Sequence, residues 1–131
     1  SATKTLLNLK KEKSTVDSIN NLRNITTKFI EMSKNLNQKD IEELLKLQMK
    51  NAWEIKRKMH GVMTKELLDI EKRIIRADFS ILKLLGAGGG GYFLVLFNGK
   101  VIENSKSELE NSGLDLKKIE ICNEGCSSCI F

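Results

Sequence analysis

From Ile81 to Phe97 the chain reads ILKLLGAGGGGYFLVLF, two short apolar runs separated by a segment with five glycines in six positions. The flanking runs are rich in Leu, Ile, Val and Phe and too short for helices, so they read as strands. Glycine loses more backbone freedom on folding than any other residue. One or two glycines suffice for a bulge or a tight hairpin where two backbones cross. Five point to a stronger demand, in which a phosphate or another main chain comes into contact distance. Consecutive glycines can take positive φ, and their N–H groups can then converge into an anion-binding nest.

Two nucleotide loops match this segment by letter and fail by context. Gly86, Gly88 and Gly91 satisfy G-x-G-x-x-G, but that fingerprint must open a helix whose N-terminus holds the pyrophosphate. A strand, YFLVLF, follows here. Gly86 and Gly91 satisfy the front of G-x-x-x-x-G-K-[ST], but Tyr92 and Phe93 stand where Lys and Ser/Thr are needed.

The chain before the loop reads as helices. From Thr15, apolar residues fall at Val16, Ile19, Leu22, Ile25, Phe29, Met32 and Leu36, a helical spacing with one buried stripe. NLNQKD breaks it, with Asn35 or Asn37 able to cap the next helix. That helix is expected over Lys39 to Met59, its stripe running through Ile41, Leu44, Leu45, Gln48, Ala52, Trp53 and Ile55 or Lys56, with Gly61 as C-cap. Thr64 caps a third helix, KELLDIEKRIIRAD. After the loop, Asn98-Gly99 signals a turn. ENSKSELENSG then reads as a short helix capped by Asn104 or Ser105 and stopped by Gly113. LKKIEIC and CSSCIF read as two further strands. The expected fold is α+β, with helices on one face of a mostly antiparallel four-stranded sheet. A length of 131 residues predicts one domain, 1–131, with a helical part (1–77) and a sheet part (78–131).

Charge separates these two parts. Residues 1–77 carry 17 Lys/Arg against 10 Asp/Glu, and residues 78–131 carry 5 against 7. The basic half is a solvated face, or it meets nucleic acid, anionic lipid or a phosphorylated small molecule. One Trp, one Tyr and five Phe are few for a base-stacking surface, which argues against nucleic acid. No run approaches the ~20 apolar residues of a membrane span, so no membrane partner is expected. No secretory leader is legible, and Cys122, Cys126 and Cys129 are an odd set. Reduced thiols in a cytoplasmic protein are therefore expected. With His60 the sole histidine, no zinc site is expected, and the cysteines read as small strand residues.

KLLGAGGGGYFLVL resembles the third motif of the GHMP kinases, the superfamily of galactokinase, homoserine kinase, mevalonate kinase and phosphomevalonate kinase. Upstream, LLKLQMKNAWEIKRKMHGVMTKELLDIEKRI is similar to the helical segment of the heptose-phosphate and related sugar kinases. Trp53, Lys56 and Arg57 fall on that branch's Trp-x-x-Lys-basic pattern. The resemblance implies the C-terminal half of an ATP-dependent sugar or sugar-phosphate kinase. Gly86, Ala87, Gly88, Gly89, Gly90 and Gly91 would line the phosphate side of its cleft. Lys56, Trp53, Arg57 and Lys83 would be the candidates for the sugar site. ATP and magnesium would be bound mainly by an N-terminal domain.

Two departures qualify it. The family's phosphate-binding motif, Pro-x-x-x-Gly-Leu-Gly-Ser-Ser, is missing, and the chain contains no proline. Tyr92 stands where smaller or aliphatic residues are common. The absent initiator Met fits a piece of a longer protein, and the piece alone is expected to be inactive, with no catalytic residue of its own. Read without the family, Trp53 is more often a core residue than a sugar platform, Lys56 has the alternative of a surface lysine, Lys83 reads equally as a solvent-facing lysine, and His60 reads as a helix-end residue. Two other functions stay open: a regulatory module that binds anions without catalysis, and a basic RNA- or protein-interaction domain.

Overall fold

In a computed structural model, residues 2–77, 79–97 and 102–120 are described. Three helices precede a two-stranded antiparallel sheet, and a fourth follows it. α1 spans Ala2–Ser33, α2 Gln38–Lys56 and α3 Lys65–Ile74; β1 is Phe79–Leu84, β2 is Phe93–Phe97, and α4 is Ile102–Asn111. The architecture is mixed α+β, with helices packed against a small antiparallel sheet.

Local chemistry sets the helix boundaries. The Asn37 side-chain carbonyl accepts the Asp40 amide at 3.0 Å and caps α2, resolving the choice between Asn35 and Asn37. Thr64 Oγ1 accepts the Leu67 amide at 3.2 Å and caps α3. Each cap satisfies a backbone donor that the helix itself cannot. α1 begins at Ala2 rather than near Thr15, because TKTLLNLKKEK contains no breaker and many strong helix formers. α2 ends at Lys56, before the expected Met59. Gly61, at φ +78°, redirects the chain beyond that helix rather than capping it. α4 starts ahead of Asn104 and Ser105, so neither caps it. Its end is the expected one: the Gly113 amide reaches Glu110 O and the Leu114 amide reaches Leu109 O, closing the last carbonyls.

α1 and α2 form an antiparallel hairpin. The α1 stripe is narrower than its spacing suggests. Leu22, Ile25 and Phe29 are half-buried, whereas Val16, Ile19, Met32 and Leu36 are exposed, and no α1 residue is fully buried. Among the described residues α2 packs along one strip of α1, and the flanking apolar positions stay exposed.

β1 and β2 pair from Phe79↔Phe97 to Leu84↔Phe93, with a bulge between Phe79 and Ile81. The extra residue, Ser80, donates its hydroxyl to Leu96 O at 3.1 Å. Leu82 and Leu84 alternate with Lys83, as strand geometry requires. Leu84 joins Trp53, Val62 and Leu67 in one core cluster. Leu82 joins Ile74, Ala77 and Leu109 in the other, and Phe93 packs against both. Of the two further strands expected, residues 116–120 carry no regular secondary structure, although Leu114 and Leu116 pack against the second cluster. Residues 121–131, with all three cysteines, and the Asn98-Gly99 turn lie outside the described residues.

Leu84 is fully buried where α2, α3 and both strands converge. Leu84→Ala should lower unfolding free energy by about 2–5 kcal/mol, the range for large cavities in cores, measured by urea denaturation.

Candidate functional site

The glycine loop is closed at its base by the Leu85 amide donating to Tyr92 O at 2.8 Å, one step beyond the ladder. Gly86, Gly88, Gly89 and Gly91 all have positive φ. The loop rests on the turn between α2 and α3. The Gly89 N–H donates to Val62 O at 2.9 Å, and a Cβ at Gly88 would stand 2.7 Å from Val62 Cα. Here the glycines serve a close approach of two main chains. Gly90 differs: its φ is ordinary, and a Cβ would meet nothing within 4 Å. Gly86, Ala87, Gly89, Gly90 and Gly91 are exposed, and Gly89 is the loop glycine whose amide is engaged elsewhere among the described residues. Of the close approaches expected of the glycines, the one present is that of a main chain, at Gly88–Gly89; a Cβ at Gly91 would stand 3.0 Å from Leu85 O, and Gly86 and Gly90 have no neighbour where a Cβ would be.

Lys56, at the end of α2, reaches the start of this loop. Its ammonium donates to Leu84 O at 3.3 Å and to Gly86 O. Burial, and then the like charge of Lys83, push its pKa below the usual 10.5. Lys83 is half-buried and has no carboxylate partner among the described residues. Of the two lysines, Lys56 is the one whose ammonium is seated on the loop's first carbonyls.

Trp53 and Arg57 are held in a different arrangement. Arg57 grips Glu71 with two bonds, Nε to Oε1 at 3.1 Å and Nη2 to Oε2 at 2.8 Å. The Trp53 indole N–H donates to the same Oε1 at 3.3 Å, and its ring meets Phe93 edge-on at 5.8 Å. Glu71 is 4% exposed and Trp53 5%. Trp53 and Arg57 are thus turned to Glu71, whereas Lys56 is turned to the loop carbonyls. Tyr92 is 68% exposed, with the Lys117 ammonium 5.9 Å from its ring centre.

Sequence reading missed Glu71 and Val62. Glu71 had a signal: a lone carboxylate on the stripe of Leu67, Ile70 and Ile74 must find a buried cation, and Arg57 supplies it. Val62 gave none, because its contribution is a main-chain carbonyl and Cα. Among the described residues, no three His, Cys, Asp or Glu side chains gather into a metal site, and no helix is long and apolar enough to cross a membrane. No family model, curated protein or solved structure matches the chain.

Gly88→Ala and Gly90→Ala should separate the two sides of the loop. The first combines left-handed backbone with a main-chain collision and should cost about 1–3 kcal/mol. The second should leave unfolding free energy unchanged or raise it by up to about 1 kcal/mol, through the unfolded chain's lost freedom. Denaturant curves of the two variants give the comparison.

Lys56 also carries a pH signature. Its folded pKa is lowered, so between that value and the unfolded 10.5 the unfolded chain holds more protons. The group's charge opposes folding below this window, and the penalty lifts as pH rises through it. Wild-type stability should therefore rise toward pH 10.5 relative to Lys56→Met, measured as paired unfolding curves across the alkaline range.

Proposed function

We propose that this chain is the C-terminal half of an ATP-dependent sugar or sugar-phosphate kinase with a GHMP-like four-stranded C-terminal fold. The Gly86–Gly91 loop forms the wall of its active cleft that faces the triphosphate. One observation carries the reading: a glycine loop anchored between two paired strands, seated at Gly88–Gly89 and open at Gly86 and Gly90, with the Lys56 ammonium on the carbonyls where it begins.

Phosphoryl transfer depends chiefly on positioning and on neutralising charge over the phosphoryl oxygens. In this reading an acceptor hydroxyl oxygen attacks the γ-phosphorus, the bond to the β–γ bridging oxygen breaks, and ADP leaves. The acceptor proton passes to a base on the N-terminal half, which also holds ATP and the magnesium ligands. This chain supplies main-chain N–H groups of the open side and the charge of Lys83 and Lys56. Lys56 acts through its hold on the Leu84 and Gly86 carbonyls, fixing where the open side begins. Trp53 and Arg57 support the sugar side by fixing the end of α2, on which Lys56 is carried.

The test is ADP release over a panel of sugars and sugar monophosphates with ATP and Mg²⁺. The chain alone should give no turnover. Joined to an N-terminal domain bearing Pro-x-x-x-Gly-Leu-Gly-Ser-Ser, it should phosphorylate at least one acceptor. In that active protein Gly90→Val, which meets no neighbour in this chain, should lower kcat/KM at least tenfold with the circular dichroism spectrum unchanged. Full activity in Gly90→Val would remove the loop from the cleft.

A further inference from the structure

α1 is 32 residues long and α2 is 19, about 48 Å against 28 Å. α1 therefore overhangs its partner. Near Thr15 the last turn of α2 gives way to the turn that follows it, and the contact face of α1 loses its partner helix. The apolar sequence of that face, Leu22, Ile25 and Phe29, gives way there to Lys10, Lys11, Ser14 and Thr15.

These residues form one side of a groove of about 310 Å³; Lys58, Met59 and His60 form the other, and Leu7 adds an apolar edge. Lys10, Lys11 and Lys58 make no ion pair among the described residues, whereas Lys46, Arg57, Arg73, Lys106 and Lys117 each have a carboxylate partner. Three ammonium groups therefore line a concavity with no acid in its lining. The Ser14 hydroxyl and the His60 ring add further donors, while Leu7 and Met59 leave room for an uncharged body. A single phosphorylated small molecule matches both the volume and the mixed lining, and an extended polyanion would need a longer basic track than this groove offers.

We infer that this groove binds a phosphorylated small molecule, its phosphate held by Lys10, Lys11 and Lys58. The site is separate from the glycine loop and does not depend on the kinase reading. It adjoins the loop's support, because Lys58, Met59 and His60 run directly into Gly61 and Val62, against which Gly88 and Gly89 rest.

Pyrophosphate is the probe, titrated into the ¹⁵N-labelled chain at 0.15 M ionic strength, where the Debye length of about 8 Å suppresses diffuse attraction. Saturable amide shifts should centre on Lys10–Thr15 and Lys58–Val62. The triple variant Lys10→Gln, Lys11→Gln, Lys58→Gln should weaken binding at least tenfold with an unchanged circular dichroism spectrum. The amide shifts locate this site without reference to turnover, so failure of the kinase reading and failure of this site are told apart. Absence of saturation would overturn the inference. So would shifts confined to Gly86–Gly91, equal binding by sulfate at matched ionic strength, or tighter binding to a single-stranded RNA 12-mer or phosphatidylserine vesicles than to pyrophosphate.

Discussion

One buried carboxylate ties the elements together. Glu71 lies on the inner face of α3, where an unpaired charge would cost several kcal/mol. It accepts both arms of Arg57 and the indole N–H of Trp53, so the end of α2 is fixed against α3 by three donors on one side chain. With those helices locked, the turn between them has little freedom, and Val62 in that turn carries the glycine loop. Trp53 extends the same arrangement to the sheet through its edge-on contact with Phe93. Replacing the group by hydrophobic residues of equal volume could preserve stability, as buried ion pairs often allow. It would not preserve the same specification, because two-bond Arg–carboxylate geometry fixes the direction as well as the distance of the neighbouring helix.

Where local chemistry decides structure, the sequence was readable. Asn37 and Thr64 cap as side-chain acceptors next to apolar periodicity, and Gly113 stops α4. The two strands around the glycines were legible from their Leu, Val and Phe content, and Lys83 from alternation. Where structure depends on what lies opposite, the sequence was much less informative. The stripe on α1 does not reveal how narrow a strip α2 covers, with Val16, Ile19 and Met32 left exposed. LKKIEIC alternates weakly at Ile119, Glu120 and Ile121, but a strand needs a ladder partner, and residues 116–120 have none among those described.

For the candidate site the division is similar. The glycines announced a close approach to the backbone, without saying whose. Lys56 and Arg57 are adjacent and chemically alike, yet they point about 100° apart on the helix. One turns to the loop carbonyls and the other to Glu71. Trp53 follows Arg57 into the core because it lies four residues earlier, on the same helix face. Nothing in the letters WEIKR ranks these side chains. The buried carboxylate does so, by capturing the guanidinium whose planar fork it fits and leaving the point-charged lysine to the loop.

The loop itself reconciles two opposed requirements. A backbone that approaches another main chain as Gly88 approaches Val62 must be free of Cβ atoms, and a backbone free of Cβ atoms is costly to hold still. The structure meets the second requirement at three places: the Leu85–Tyr92 bond at the base, the Gly89–Val62 bond on the seated side, and the Lys56 ammonium on the Leu84 and Gly86 carbonyls. These restraints leave Ala87 and Gly90 exposed. The last restraint places a charged group among main-chain carbonyls, where burial and then the like charge of Lys83 lower its pKa, so the contact that steadies the loop is made against an electrostatic cost.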